Sequence, residues 1–251
     1  MFNFNNQVVL VTGGSRGIGA ETVRLFAELG ANVVFNYFQE KAEAEKIKSG
    51  IESTGQACLA LKANLAKRSD CIKLVESTVR KFGRIDVLVN NAGIWTESAI
   101  EDMTDDILSR TIGINIKGCF YTTAAAVPYM KKQKSGNIIF IASTAGQRGE
   151  AWHSHYAASK GALISLTKSL AVELAAYNIR VNCVAPGWVD TDMSHPALTS
   201  PDGPRYVALI PLGRPAHPRE IAQPIVFIAS EWAGFITGEI LNVNGGAVLV
   251  G

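Results

Sequence analysis

Short apolar runs alternate along this chain with longer segments whose apolar residues recur at helical spacing. The apolar runs predict seven β-strands, at 8–11, 32–37, 57–61, 85–89, 137–142, 180–185 and 240–243. The amphipathic segments predict helices at 17–29, 40–53, 69–82, 105–132, 154–177 and 218–230. Strands that are apolar on both faces and alternate with helices indicate a parallel sheet covered on both sides.

This order of elements predicts an α/β fold, a single-domain doubly wound Rossmann fold with a seven-stranded parallel sheet. In such a sheet, ligands bind beyond the carboxyl ends of the strands. Gly13, Asn91, Ser143 and Pro186 each follow a predicted strand, so we expect them to converge on one crevice. The segment at about 186–218 carries five prolines between its terminal ones, and its length predicts a functional loop with short helices of its own.

The chain has 251 residues and a net charge of +2, with acidic and basic residues interspersed, which gives no indication of nucleic acid or an anionic membrane as a partner. Its four cysteines are scattered and suit a reducing cytosol. We find no signal peptide and no apolar run long enough to cross a bilayer. We therefore expect one cytoplasmic domain, 1–251, and no metal, because His153, His155 and His195 lack acidic or thiol partners for a site.

A glycine-rich turn follows the first predicted strand and opens the first predicted helix. It reads Thr12-Gly13-Gly14-Ser15-Arg16-Gly17-Ile18-Gly19. Gly13 permits the tight turn, and Gly17 and Gly19 let the backbone approach a pyrophosphate at a helix N-terminus. The alternative is a glycine-rich turn without a ligand, but the strand-turn-helix context favours a dinucleotide.

The end of the second strand indicates which dinucleotide binds. NAD-specific enzymes usually place an acid there for the adenosine ribose, whereas this chain has no acid before Glu40. Arg16 could pair with a 2′-phosphate, since a guanidinium matches it in charge and geometry. We therefore expect NADP(H). Arg16 could instead be a solvated loop residue, and Glu40 could fold back to the ribose and permit NAD(H).

Tyr156 and Lys160 lie four residues apart, on one face of a predicted helix, and Ser143 lies thirteen residues upstream of the tyrosine. An isolated phenol has a pKa of about 10, and lowering that pKa by about three units requires about 4 kcal/mol of differential stabilisation. We expect Lys160 to lower the pKa of Tyr156, assisted by a second positive charge such as an oxidised nicotinamide ring. Taken alone, the pair could also be an ordinary Tyr and Lys on a surface helix.

The glycine turn, the segment Asn90-Asn91-Ala92-Gly93, Ser143, the Tyr156–Lys160 pair and Pro186-Gly187 occur in the order typical of one family. With these motifs the chain resembles the short-chain dehydrogenase/reductase family from Asn6 to Gly246. The resemblance implies that Tyr156 donates a proton to a carbonyl oxygen as hydride arrives, that Lys160 holds the nicotinamide ribose and that Ser143 positions the carbonyl. It also implies that Asn115 anchors a proton-relaying water. Ser143 could instead cap a turn, and Asn115 could bond within its own helix.

The resemblance further implies a cofactor site along the crevice. Its expected residues are Gly13, Ser15, Arg16, Gly17, Ile18, Gly19, Asn36, Tyr37, Asn64, Leu65, Asn91, Ala92, Gly93, Tyr156, Lys160, Pro186, Gly187, Val189 and Thr191. For Asn90 we expect a structural role, in which its amide ties adjacent strands together.

Residues expected around the substrate carbonyl are Ser143, Trp95, Gln147, His153, Trp188 and Met193, which predict an apolar or aryl-accommodating pocket with a polar contact from His153. The alternative for Trp95 and Trp152 is exposure to solvent or to a neighbouring subunit.

Within the family, the chain most resembles reductases of 3-oxoacyl-acyl-carrier-protein, with two departures. Tyr177 stands where those reductases have a basic residue for the acidic carrier protein, although Lys131, Lys132 and Lys134 could keep a basic patch. His153 stands where they commonly have Gln. The expected substrate is a small-molecule carbonyl compound, carried as an acyl-carrier-protein or CoA thioester.

Two other functions stay open. A general carbonyl reductase would act on ketones, sugars or steroids, and a non-catalytic cofactor sensor would use a degenerate form of the fold. The resemblance also implies a homotetramer. The tail at 240–251 is largely apolar, which suits a subunit interface.

Overall fold

The computed structural model describes residues 2–250. Its seven strands form one parallel sheet in the order β3-β2-β1-β4-β5-β6-β7. The strands are β1 (Val8–Val11), β2 (Asn32–Tyr37), β3 (Cys58–Lys62), β4 (Val87–Asn90), β5 (Gly136–Ile141), β6 (Ile179–Pro186) and β7 (Ile240–Val243). The order reverses between β1 and β4, which is the switch point of a doubly wound sheet. The predicted Rossmann fold is confirmed.

Helices cover both faces of the sheet. They are α1 (Gly17–Glu28), α2 (Lys41–Glu52), α3 (Arg68–Phe82), α4 (Asp105–Thr111), α5 (Gly118–Gln133), α6 (Ala145–Arg148), α7 (Ser154–Leu174), α8 (His195–Leu198), α9 (Gly203–Ala208) and α10 (Pro218–Ala229). Along β1, Val9 and Val11 pack under α1, α2 and α10, whereas Leu10 points to the core beneath α3, α5 and α7. This alternation explains why the strand is apolar throughout.

The predicted helix at 105–132 is wrong as a single element. α4 ends at Thr111, a π-helical turn occupies Ile112–Lys117, and α5 begins at Gly118. A π-turn inserts one residue into the helical ladder, and such turns occur frequently at functional sites. Likewise, α7 ends at Leu174, and a 3₁₀ turn, Ala175–Tyr177, completes the predicted segment.

The loop after β6 is pinned at its base. Val189 and Ala216 form an isolated parallel bridge, with Asp190 N donating to Ala216 O at 2.9 Å and Ala216 N donating to Trp188 O at 2.9 Å. The helices α8 and α9 lie within the loop, as the sequence predicts. Within residues 2–250, no helix combines the length and the apolarity that a membrane crossing requires.

Candidate functional site

A cavity of about 500 Å³ lies along the carboxyl ends of the strands. Every residue predicted for the cofactor lines it, and so do Ser143, Trp95, Trp188 and Met193. The four positions expected to converge after strand ends, Gly13, Asn91, Ser143 and Pro186, therefore face one space. Their contacts with a cofactor stay predictions.

The glycine turn leaves no room for side chains. A Cβ on Gly19 would lie 2.1 Å from the carbonyl oxygen of Gly13, and Gly13 itself adopts φ +67°. Gly17, at φ +53°, has the methyl group of Thr191 3.3 Å from its Cβ position, so the loop after β6 closes over the turn. The absence of side chains opens the N-terminus of α1 to a phosphate group.

Two side-chain amides hold this turn in place. Asn36 accepts from Gly13 N at 2.9 Å and donates to Ala63 O at 3.1 Å. Asn91 donates to Thr12 O at 2.9 Å. The side chain of Asn90 does not join strands: it donates to Thr123 Oγ1 and accepts from Thr122 Oγ1, both on α5. That expectation is wrong, because its side chain points into the helix layer and not along the sheet.

The adenosine end of the cavity carries two opposite charges. The Arg16 guanidinium lies 3.7 Å from the Glu40 carboxylate, and both side chains line the cavity. Arg16 is half exposed, at 52 %, so it can turn toward a phosphate group. Glu40 is then the group that competes for it.

Ser143, Tyr156 and Lys160 come together at the other end. Ser143 follows β5, and its Oγ accepts from Ala145 N at 3.1 Å, while Tyr156 and Lys160 lie in the first two turns of α7. Lys160 is buried, and its Nζ donates to the carbonyl oxygen of Ile141 at 2.7 Å. Burial lowers the pKa of Lys160.

The pKa of Tyr156 differs from the expectation. Removal of the phenol from bulk water raises its pKa to about 12; hydrogen bonding with Ser143 lowers it, and the charge of Glu150 raises it further. For the groups of this chain alone, the net direction is therefore opposite to the expected one, and Lys160 makes its hydrogen bond to the Ile141 carbonyl. The phenol is therefore protonated at neutral pH and can act as a proton donor.

Asn115 is fully buried in the π-turn. Its Nδ2 donates to Ile94 O and to Ser159 Oγ, both at 3.0 Å, and its Oδ1 accepts from Ile94 N at 2.9 Å. These bonds connect the π-turn to the loop after β4 and to α7. The Asn115 side chain therefore does not bond within its own helix. The role of Asn115 in a proton relay stays a prediction.

The two other predicted substrate residues do not line the cavity. Gln147 donates to Asn242 Oδ1 at 2.5 Å. His153 is buried behind Trp95, with the two rings parallel and 4.3 Å apart. Trp152 is 64 % exposed, as the alternative allowed, and has φ +58°, a strained value for a bulky residue. A direct substrate contact by Gln147 or His153 stays a prediction.

Sequence reasoning missed Glu150, a partly buried residue in the cavity wall between α6 and α7. Burial raises the pKa of this carboxyl, whereas His153, Trp95 and Arg148 lower it. Its place between Ser143 and Tyr156 in the sequence was a usable signal, since both ends of that segment line one site. In residues 2–250, no group of three or more His, Cys, Asp or Glu side chains could hold a metal ion.

A dinucleotide fits these residues. The side-chain-free turn at the N-terminus of α1 would hold its pyrophosphate, Arg16 its adenosine end and Lys160 its nicotinamide ribose. The cavity runs from the first of these groups to the last without interruption.

Comparisons with known proteins agree with this geometry. A family model described as enoyl-(acyl carrier protein) reductase matches residues 13–248. The 3-oxoacyl-[acyl-carrier-protein] reductase FabG of Thermotoga maritima is 40 % identical over 245 residues, covering 97 % of this chain and 98 % of that protein.

Among solved structures, a short-chain dehydrogenase from Burkholderia cenocepacia J2315 in complex with NADP has a TM-score of 0.92 and 31 % identity, covering 98 % of this chain and 99 % of that one. A blue fluorescent protein from a metagenomic library in complex with NADPH has a TM-score of 0.92 and 36 % identity, covering 98 % and 100 %. The chain belongs to the short-chain dehydrogenase/reductase family.

Proposed function

We propose that this protein is an NADPH-dependent reductase of 3-oxoacyl thioesters, which converts the 3-keto group to a secondary alcohol. One observation carries the proposal: Ser143, Tyr156 and Lys160 share one cavity with a glycine turn shaped for a dinucleotide. The relative from Thermotoga maritima supports the 3-oxoacyl substrate, and the two neighbours bound to NADP and NADPH support the cofactor.

The side chains have separate tasks in this reaction. Bound NADPH supplies the hydride that attacks the carbonyl carbon. Ser143 positions the carbonyl oxygen, and Tyr156, held protonated by burial, donates a proton to that oxygen. Lys160, fixed by the Ile141 carbonyl, holds the ribose beside the phenol. The loop at about 186–218 covers the substrate and excludes water.

The region around Tyr177 supports a carrier-protein partner. Lys131 Nζ lies 4.2 Å from the centre of the Tyr177 ring. The ring therefore holds a lysine ammonium near the position where the resemblance expects a basic residue. Lys132 and Lys134, both exposed, add to this positive surface, which suits an acidic carrier protein.

We also infer a cytoplasmic homotetramer. All four cysteines are free and buried thiols, which suits a reducing compartment. Leu249, 89 % exposed, and Val172, 82 % exposed, are apolar side chains that a subunit interface would cover. Size-exclusion chromatography with light scattering should give four times the mass of the chain, and a monomer would contradict the assembly.

The test of function compares initial rates of NADPH oxidation with a 3-oxoacyl thioester, an enoyl thioester and a simple ketone. We expect the 3-oxoacyl thioester to be preferred at equal concentration. Tyr156→Phe should lose turnover by at least about 100-fold and still bind NADPH. Preference for the simple ketone would favour a general carbonyl reductase, and preference for the enoyl thioester would refute a keto reductase. A wild type that binds NADPH without turnover, and a Tyr156→Phe variant that behaves in the same way, would favour a cofactor sensor.

A further inference from the structure

Glu150 is a carboxylate in the wall of the cavity that the reaction described above does not use. It lines the same space as Ser143 and Tyr156 and is partly buried. Within residues 2–250, its side chain forms no ion pair and accepts no hydrogen bond from a main-chain N–H. A carboxylate in such a position is costly unless it finds hydrogen-bond donors.

The surroundings of Glu150 are rigid. Its main-chain oxygen accepts from His153 N at 3.2 Å, directly before α7 begins, and Ser98 N donates to Trp152 O at 2.8 Å. These bonds tie the segment to the catalytic helix on one side and to the loop after β4 on the other. The main chain at Glu150 is thereby held at the start of α7, the helix that carries Tyr156.

Trp95 also lines the cavity, and its proximity lowers the pKa of the Glu150 carboxyl. Its ring is fixed by His153, parallel at 4.3 Å, and by Trp188, edge-on at 6.0 Å. Trp95 has a single N–H group, whereas a carboxylate offers about four acceptor positions. Trp95 can therefore satisfy at most one of these positions, and the others remain for a donor in the cavity that Glu150 lines.

Partial burial makes the charged form of this carboxyl costly. Burial raises the pKa of Glu150, and the carboxylate in turn raises the pKa of Tyr156. A ligand that donates a hydrogen bond to Glu150 offsets this cost, whereas a purely aliphatic group adds to it.

We propose that Glu150 is a specificity-determining residue, whose carboxylate accepts a hydrogen bond from an N–H or O–H group of the substrate close to the reacting carbonyl. This inference rests on the proposed function, because it assumes NADPH-dependent reduction of a carbonyl group. It does not assume that the substrate is a 3-oxoacyl thioester. Two sources share the chemistry: the amide N–H of a pantetheine-type arm on a thioester, and a hydroxyl group on the ketone itself.

The test uses two pairs of substrates that differ only in the donor. Acetoacetyl N-acetylcysteamine thioester carries an amide N–H, and the S-(2-acetoxyethyl) thioester of acetoacetate has an ester oxygen in place of that N–H. Hydroxyacetone carries a hydroxyl group, and butanone lacks it. Each is assayed with the wild type, with Glu150→Ala and with Glu97→Ala, a control that removes the same charge from an exposed position outside the cavity.

We expect Glu150→Ala to lower kcat/KM by at least about 10-fold for a donor-bearing substrate and by less than about 3-fold for its partner. Glu97→Ala should change neither. A loss confined to the thioester pair identifies the amide, and a loss confined to the hydroxyketone pair identifies the hydroxyl.

If the wild type reduces no thioester but reduces hydroxyacetone in a Glu150-dependent manner, the proposed function fails and this inference stands. Equal losses on both members of each pair would overturn the inference, as would no loss on any. NADPH binding by Glu150→Ala, followed by cofactor fluorescence, verifies that the variant is folded.

Discussion

Lys160 Nζ lies 5.6 Å from the centre of the Tyr156 ring and donates its hydrogen bond to the Ile141 carbonyl. The lysine is thus near the phenol, but its hydrogen bond goes to the main chain. Lys160, which the sequence pattern pairs with Tyr156, is held by the carbonyl of Ile141, the last residue of β5. This arrangement favours a protonated phenol, which is the form that reduction requires.

We predict that the pH dependence of alcohol oxidation shifts in Glu150→Gln. Oxidation needs the phenolate as base, and the negative charge of Glu150 raises the pKa of Tyr156. Removing that charge lowers the phenol pKa, so the rising limb of the oxidation rate moves to lower pH. The reduction rate near neutral pH should keep its pH dependence, since the phenol stays protonated there. Steady-state rates in both directions check this, and an unmoved or alkaline-shifted oxidation limb would contradict it.

Gly19→Ala should abolish NADPH binding and destabilise the protein. The added Cβ would lie 2.1 Å from the Gly13 carbonyl oxygen, so the turn must open. Gly50→Ala is the matched control, because nothing lies within 4 Å of its Cβ position in α2. That control should gain about 0.5–1 kcal/mol of stability from helix propensity. Cofactor fluorescence and thermal melting distinguish the two variants. NADPH binding by Gly19→Ala would contradict the assignment of this turn to the pyrophosphate.

Arg16 and Glu40 should act on cofactor choice in opposite directions. Arg16→Ala removes the guanidinium expected to face the 2′-phosphate and should weaken NADPH by about 10-fold while leaving NADH nearly unchanged. Glu40→Gln frees Arg16 from its partner at 3.7 Å and removes a negative charge, so NADPH should bind more tightly. Dissociation constants for both cofactors decide the matter. Equal effects on NADH and NADPH would show that neither side chain reads the phosphate.

Arg180→Met should cost about 2–4 kcal/mol of unfolding free energy. The partly buried guanidinium donates to the main-chain oxygens of Ile228 at 2.9 Å, Ser230 at 3.1 Å and Ile236 at 3.1 Å, at the end of α10. The variant removes these hydrogen bonds from a charged donor, and each acceptor keeps one weaker, neutral donor: Asn137 Nδ2 for Ile228, Ala233 N for Ser230 and Asn182 Nδ2 for Ile236. Chemical denaturation measures the loss. Arg80→Met, on the exposed face of α3, should change stability by less than about 0.5 kcal/mol, and a similar small effect at Arg180 would contradict the capping role.

The sheet could be predicted from sequence because its strands are apolar on both faces. β1, β2 and β7 were predicted to the residue, and the other strand boundaries differ by one or two positions. The break between α4 and α5 could not be predicted, because residues 112–117 keep a helical pattern of apolar side chains. Within the π-turn, Asn115 bonds to Ile94 and Ser159, and these contacts join segments far apart in sequence that no local pattern reveals.

The candidate site could likewise be predicted only in part. Residues after strand ends were brought to one cavity as predicted, because topology alone places them there. The contacts of single side chains were not predictable: His153 packs behind Trp95 and Glu150 faces the cavity, although the two differ by only three positions. The pKa of Tyr156 also depends on burial and on Glu150, which no local spacing reveals.

The bridge between Val189 and Ala216 makes the intervening segment a closed excursion from the sheet. Since both ends are fixed to each other, lengthening the excursion costs only a slowly growing entropy of loop closure. The side chains proposed for catalysis lie directly after β5, in the π-turn before α5 and on α7, outside this segment. Exchange of residues 195–215, beyond Thr191, is therefore a route by which substrate preference can diversify while the side chains proposed for hydride transfer stay in place.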